Sequence, residues 1–121
     1  MKGTYDSVED LRVWKEAMKL CIDVHIAFRY SRNFPLRDQA MKSAISIPSD
    51  IAEGFERHSN KEFIHFLYVA KASAAELRTQ LQVAKSIGEL VDDVGTRLIE
   101  TAKKVSSMLS KFIKAREGFN E

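Results

Sequence analysis

Cysteine and tryptophan occur once each in 121 residues, proline twice and glycine five times. Each scarcity excludes something. Cys21 has no internal disulfide partner, which suits a reducing compartment. The five glycines form no phosphate-cradling loop and no nucleophile elbow, and there is no Cys-x-x-Cys. No stretch approaches the ~20 apolar residues that span a bilayer. The start, "MKGTYDSVEDLRVW", lacks the apolar run of a signal peptide, so a cytoplasmic location without membrane contact is expected. Charge of one sign is also scarce: the net charge is +2, too small by itself to imply a nucleic-acid partner. The chain has 45% hydrophobic residues. A chain this long forms one domain, 1–121, and buries roughly two-thirds of its unfolded surface without disulfides or metal.

What is present is helical periodicity. Helix one is expected from about Val8 to Tyr30, with Ser7 and Asp10 at capping-box spacing. Leu11, Trp14, Met18, Cys21, His25 and Phe28 form one apolar stripe, and Val13, Leu20 and Ala27 form a second beside it. A surface helix needs one stripe, so two imply packing on two sides, the second against another subunit. Helix two follows "SRNFP" and runs to Arg57, with Leu36, Ala40, Ala44, Ile47, Ile51 and Phe55 in step. Pro48 lies inside it and predicts a kink, because the apolar spacing continues on both sides. Helix three starts near Asn60, with Ser59 and Glu62 at capping-box spacing, and stops near Gly88. Its heptads Phe63, Ala70, Leu77, Ala84 and Leu67, Ala74, Leu81 predict a long, nearly straight helix. Helix four spans about Asp92 to Arg116, with Leu98, Ala102, Val105, Leu109 and Phe112 inward. The short breaks make neighbours antiparallel. The predicted fold is all-α, an antiparallel up-down-up-down four-helix bundle with helix two kinked at Pro48.

The stretch "SIPSDIAEGFER" has the look of a catalytic loop but reads better as packing. Ser43, Ala44, Ser46, Ser49, Ala52 and Gly54 are small, and helix three offers Ala70, Ala72, Ser73, Ala74 and Ala75. Two such runs allow a close helix–helix approach. Pro48, Ala52, Glu53, Gly54, Ser73 and Glu76 are therefore assigned to a structural motif.

Here the chain resembles a known family. The segment from Leu36 to Leu90, with Ser46-Ile47-Pro48, Ile51-Ala52-Glu53-Gly54 and the Ala70–Leu81 run, resembles bacterial four-helix-bundle proteins first noticed in intervening sequences of large-subunit ribosomal RNA genes. "DLRVWKEAMKL" extends the resemblance to nearly the whole chain. It implies a bundle that assembles into a homo-oligomeric ring, a pentamer, and it does not imply an enzyme. One branch, accessory proteins of diversity-generating retroelements, is associated with nucleic acid through a basic surface. Many relatives carry a basic pair where this chain has Met41-Lys42, and asparagine where it has Asp50. Both differences lower the positive charge of helix two.

Candidate chemistry is thin. Glu53 and Glu76 could do acid–base work or bind metal, but an active site needs further convergent groups, so pairing with Arg, Lys, Ser or Gln is the expected role. Glu62 and His65 make one Glu-x-x-His, whereas a di-iron bundle needs two plus two further glutamates. His25 lies on an apolar stripe, His58 in a loop, and Cys21 on the apolar seam as an inert thiol. No catalytic residue, metal site, cofactor or small-molecule substrate is assigned. The stronger lead is charge on helix four: from Arg97 to Arg116 six basic residues face one acidic residue, Glu100. Arg97, Lys104 and Lys111 repeat every seven, with Lys103 and Lys114 flanking. These five form the candidate nucleic-acid contact, a footprint for phosphate backbone without interleaved aromatics for base stacking. Two functions follow. The first is a non-enzymatic oligomeric scaffold or adaptor that binds a protein partner. The alternative is an accessory protein that binds RNA or DNA without sequence specificity.

Overall fold

The structure, a computed structural model, describes residues 5–119. Four helices make it up: α1 Arg12–Phe28, α2 Phe34–Phe55, α3 Asn60–Ser86 and α4 Asp92–Glu117. No strand occurs among the described residues. Each helix contacts its two neighbours, α4 closing back on α1, while the diagonal pairs α1/α3 and α2/α4 stay apart. With short connections this is the expected antiparallel up-down-up-down bundle.

Local signals set the helix limits. Asn33 caps α2, its side chain accepting the Leu36 amide at 3.3 Å, and Pro35 sits in the first turn where no amide partner is lost. Ser59 caps α3 by accepting the Glu62 amide at 3.1 Å. Past α3, Gly88 takes φ +81°, the left-handed geometry that ends helices at glycine. α2 continues through Pro48 without a break. Helix one needs a correction. Val8–Asp10 is a separate 3-10 turn, Leu11 is extended, and α1 begins at Arg12 and ends at Phe28. Asp10 accepts the amides of Asp6 and Ser7 at 3.2 Å, so the capping pair closes the short turn rather than opening the long helix.

The core is built from small residues where α2 meets α3. Ala40 and Ala44 of α2 and Ala70 and Ala74 of α3 are fully buried. A Cβ on Gly54 would lie 2.6 Å from Phe66 Cβ and 3.3 Å from the Phe63 carbonyl, so only glycine permits this approach. The rest of the small-residue reading is redistributed. Ser49 and Ala52 turn toward α1, against Trp14, Met18 and Cys21, and Ala72 and Ala75 are exposed.

On α1 the inward face is Val13, Ala17, Leu20, Val24 and Phe28. The two stripes share the core: Leu11, Cys21 and Phe28 of the first and Val13 and Leu20 of the second are buried, while Trp14, Met18 and His25 of the first and Ala27 of the second are half-buried. On α4, Ile113 is buried while Phe112 stays half-exposed. Phe112 meets Phe63 edge-to-face at 5.6 Å, and Phe63 meets Phe55 at 6.0 Å, joining three helices at one end. At that end the Asn60 amide donates to the Arg116 carbonyl at 2.7 Å, and Arg116 Nε donates back to Asn60 Oδ1 at 2.8 Å.

Candidate functional site

The side chains singled out from sequence do not converge. Glu53 accepts from Arg57 at 2.6 Å, and Arg57 also approaches Glu62 at 3.8 Å. Glu76 is exposed on α3 and lines a cleft of about 320 Å³ between α2 and α3, with Asp38, Lys42, Ser46 and Gln80, but not Glu53. Ser73 is buried in the helix contact. Among the described residues no group of three His, Cys, Asp or Glu side chains is placed to hold a metal ion.

Cys21 is buried, and burial raises its thiol pKa. His25 lies one turn away with Nδ1 2.9 Å from the Cys21 carbonyl. A carbonyl only accepts, so Nδ1 carries the proton and cannot take one from the thiol 3.8 Å away. The pair is therefore not an activated nucleophile.

The basic residues of α4 separate into two rows. Arg97, Lys104 and Lys111 lie toward α1, where Lys104 Nζ reaches Glu16 at 3.0 Å. Lys103 points outward and contacts Glu100 at 3.7 Å. Arg97, Lys111 and Lys114 are exposed and make no ion pair among the described residues. Arg116 does not belong with them. It is 4% exposed and its guanidinium lies over the rings of Phe119 and Phe63 at 4.1 and 5.3 Å. Its spacing from Leu98, Val105 and Leu109 puts it on the core side, a position that counting charge along the helix does not register. The Glu16 carboxyl is held below its usual value, first by the hydrogen bond from Lys104 and then by the charges of Lys104, Lys19 and Arg12, against the opposing effect of burial.

The opposite side behaves the other way. Asp50, half-buried on α2, has its carboxyl pushed up, first by burial and then by the charge of Glu53. In the cleft beside it the Gln80 amide oxygen is buried and receives no hydrogen bond. Glu53 takes the pairing with a basic side chain expected from the sequence, through Arg57, while Glu76 stands apart on α3.

Between these two sides lies an apolar groove of about 320 Å³ along α1 and α2, lined by Trp14, Met18, Cys21, Ile45, Pro48, Ser49 and Ala52. Ile22, Ile26 and Ile45 beside it are about half exposed. No helix among the described residues is long and apolar enough to cross a membrane.

These features define a class: an antiparallel four-helix bundle whose distinctive chemistry lies on its outer faces, not in a central pocket. The chain belongs to the family of 23S rRNA-intervening sequence proteins, whose family model matches residues 9–111. A solved structure from Bacteroides thetaiotaomicron, described as a protein with unknown function from the S23 ribosomal protein family, is similar, with a TM-score of 0.79 and 18% sequence identity over 84% of this chain and 98% of that one. At that identity the likeness shows the fold. No curated protein matches the chain significantly.

Proposed function

We propose that this protein is a non-enzymatic scaffold that assembles with copies of itself and carries a protein partner on its α1–α2 face. The observation that carries the reading is the apolar groove. Trp14 and Met18 are half-buried beside exposed Ile22 and Ile45, an arrangement that leaves apolar surface in water unless something covers it. The self-assembly part rests on the family resemblance, which implies a five-membered ring. The test is a pair of exposed substitutions, I22E with I45E. The variant is expected to fold and keep the wild-type solution mass while losing the proteins that wild type retains on a column. Retention of the same proteins would remove the α1–α2 face from the proposal.

A second reading, non-specific binding of RNA or DNA, is favoured by one observation: Arg97, Lys111 and Lys114 are exposed without ion pairs among the described residues, and Lys15 and Lys19 of α1 are exposed nearby on the same side. Binding of labelled RNA would weaken with salt, and R97A/K104A/K111A would weaken it further and reduce the salt dependence. No binding at low salt would end this reading.

A further inference from the structure

Away from the α1–α2 groove, where the short 3-10 turn hands over to α1, a second pocket of about 330 Å³ opens against the last turns of α4. The chain does not run straight into α1 here: Leu11 is extended, and the helix starts only at Arg12. The apolar lining is Leu11 and Val13 on one side, Met108 and Phe112 on the other, and Tyr5. Phe112 is held edge-to-face against Phe63 at 5.6 Å, so this wall is set before anything binds. Two charged residues line the pocket, Asp10 and Arg12, and they are not equivalent. Asp10 already accepts the amides of Asp6 and Ser7 at 3.2 Å. Arg12 is exposed and makes no ion pair among the described residues, so its guanidinium donors are open. The α4 wall adds charge of the same sign. Lys104, Met108 and Lys111 stand at i, i+4 and i+7 and share one face. Lys104 is engaged by Glu16 at 3.0 Å, whereas Lys111 is exposed with no ion pair among the described residues. Asp6 and Glu9 of the short turn do not line the pocket.

The geometry points to a binding site for a small amphipathic monoanion, of which a free medium-chain fatty acid is the simplest case. The apolar tail lies on Leu11, Val13, Met108 and Phe112, and the carboxylate meets Arg12 and Lys111 at the solvent edge. Each part of the match has a physical reason. Half-buried Met108 and Phe112 leave apolar surface in water, which a hydrocarbon tail covers. A guanidinium offers a planar fork of donors, which a carboxylate accepts in pairs. A neutral molecule of the same shape gains only the tail contact. A cation is repelled by Arg12 and Lys111 and finds in Asp10 a carboxylate already engaged. The volume lies at the lower end of the ~300–1,000 Å³ range of small-ligand pockets, so one chain fits and a two-chain lipid does not. The site is independent of the scaffold reading, since it lies between α1 and α4 and the partner groove between α1 and α2. A bound carboxylate occupies Lys111, so it competes with phosphate backbone for the basic side of α4.

Calorimetric titration of the full chain with decanoate tests this, with 1-decanol and decylammonium carrying the same tail and a different head. One decanoate per chain is expected. Decanol should bind roughly tenfold more weakly, the worth of a charge-assisted hydrogen bond, and decylammonium more weakly still. R12E/K111E should lose the preference for decanoate over decanol, and M108E should weaken both. Arg12 and Lys111 are exposed and Met108 is half-buried, and circular dichroism checks that the variants fold. The ratio of decanoate to decanol affinity in R12E/K111E decides the matter even if M108E fails to fold. Wild type that takes up no decanoate, or takes decanol equally well, overturns the site. So does decanoate binding that survives R12E/K111E with its preference intact, or that is lost in I22E/I45E instead. Flotation of the protein with phosphatidylglycerol vesicles would assign the pocket to a bilayer and overturn the free ligand; the protein is expected to stay behind.

Discussion

At the α2–α3 contact, Gly54 brings the helices so close that even a methyl group would strike Phe66. At the α1–α4 contact, across the bundle, Glu16 reaches Lys104 with long side chains at 3.0 Å, over the half-exposed Met108 and Phe112. The first contact depends on shape and tolerates no added volume. The second depends on partly solvated charge and should tolerate a great deal. A motif in this chain therefore marks where the backbone is crowded, and the surfaces free to evolve a binding role are those where charged side chains face outward.

Substitutions can break or sharpen that contrast. The largest effect is expected from G54L, which overpacks the α2–α3 contact by about 3 kcal/mol, read as a lower denaturant midpoint. A52L, two residues earlier but turned to the open α1–α2 groove, should cost less than about 1 kcal/mol. Equal losses at the two positions would show that the crowding is not specific to the α3 side. N60A removes both hydrogen bonds to the buried Arg116 and should cost about 2 kcal/mol, measurable by urea unfolding. Smaller again is the Glu16–Lys104 pair: a double-mutant cycle should give a coupling of about 0.5 kcal/mol that falls with salt. A coupling as large as the Gly54 effect would erase the distinction between the two contacts.

The smallest effect carries a sign. The Asp50 carboxyl is raised in the folded state, so its ionised form is disfavoured there and costs stability above its folded pKa. D50N is expected to stabilise the protein modestly at neutral pH, with the gain fading as pH falls through the carboxylate range, where wild type becomes neutral too. Glu16 works in the opposite direction. Its carboxyl is held down, so its contribution is present above the unfolded value and is lost as pH falls. E16Q should therefore lower stability at neutral pH and change nothing in acid.

Much of this was legible in the sequence wherever spacing determines position. The four helices, the Ser59 cap, the Gly88 stop and the small-residue contact at Ala44, Gly54, Ala70 and Ala74 follow from periodicity and local sterics. Periodicity alone could not say which of two adjacent stripes on α1 faces inward. Trp14 and Met18 are large apolar side chains on one stripe, yet they are half-buried, while Leu11 and Phe28 of that stripe and Leu20 of the other are fully enclosed. Arg116 escaped because its charge suggests solvent, while its i, i+7 relation to Leu109 and the stack on Phe119 take it inside.

The most direct test of the scaffold is the solution mass of wild type by sedimentation across a wide concentration series at low salt. The account predicts a discrete multiple of the 13.8 kDa protomer. A single species of protomer mass at every concentration would contradict it.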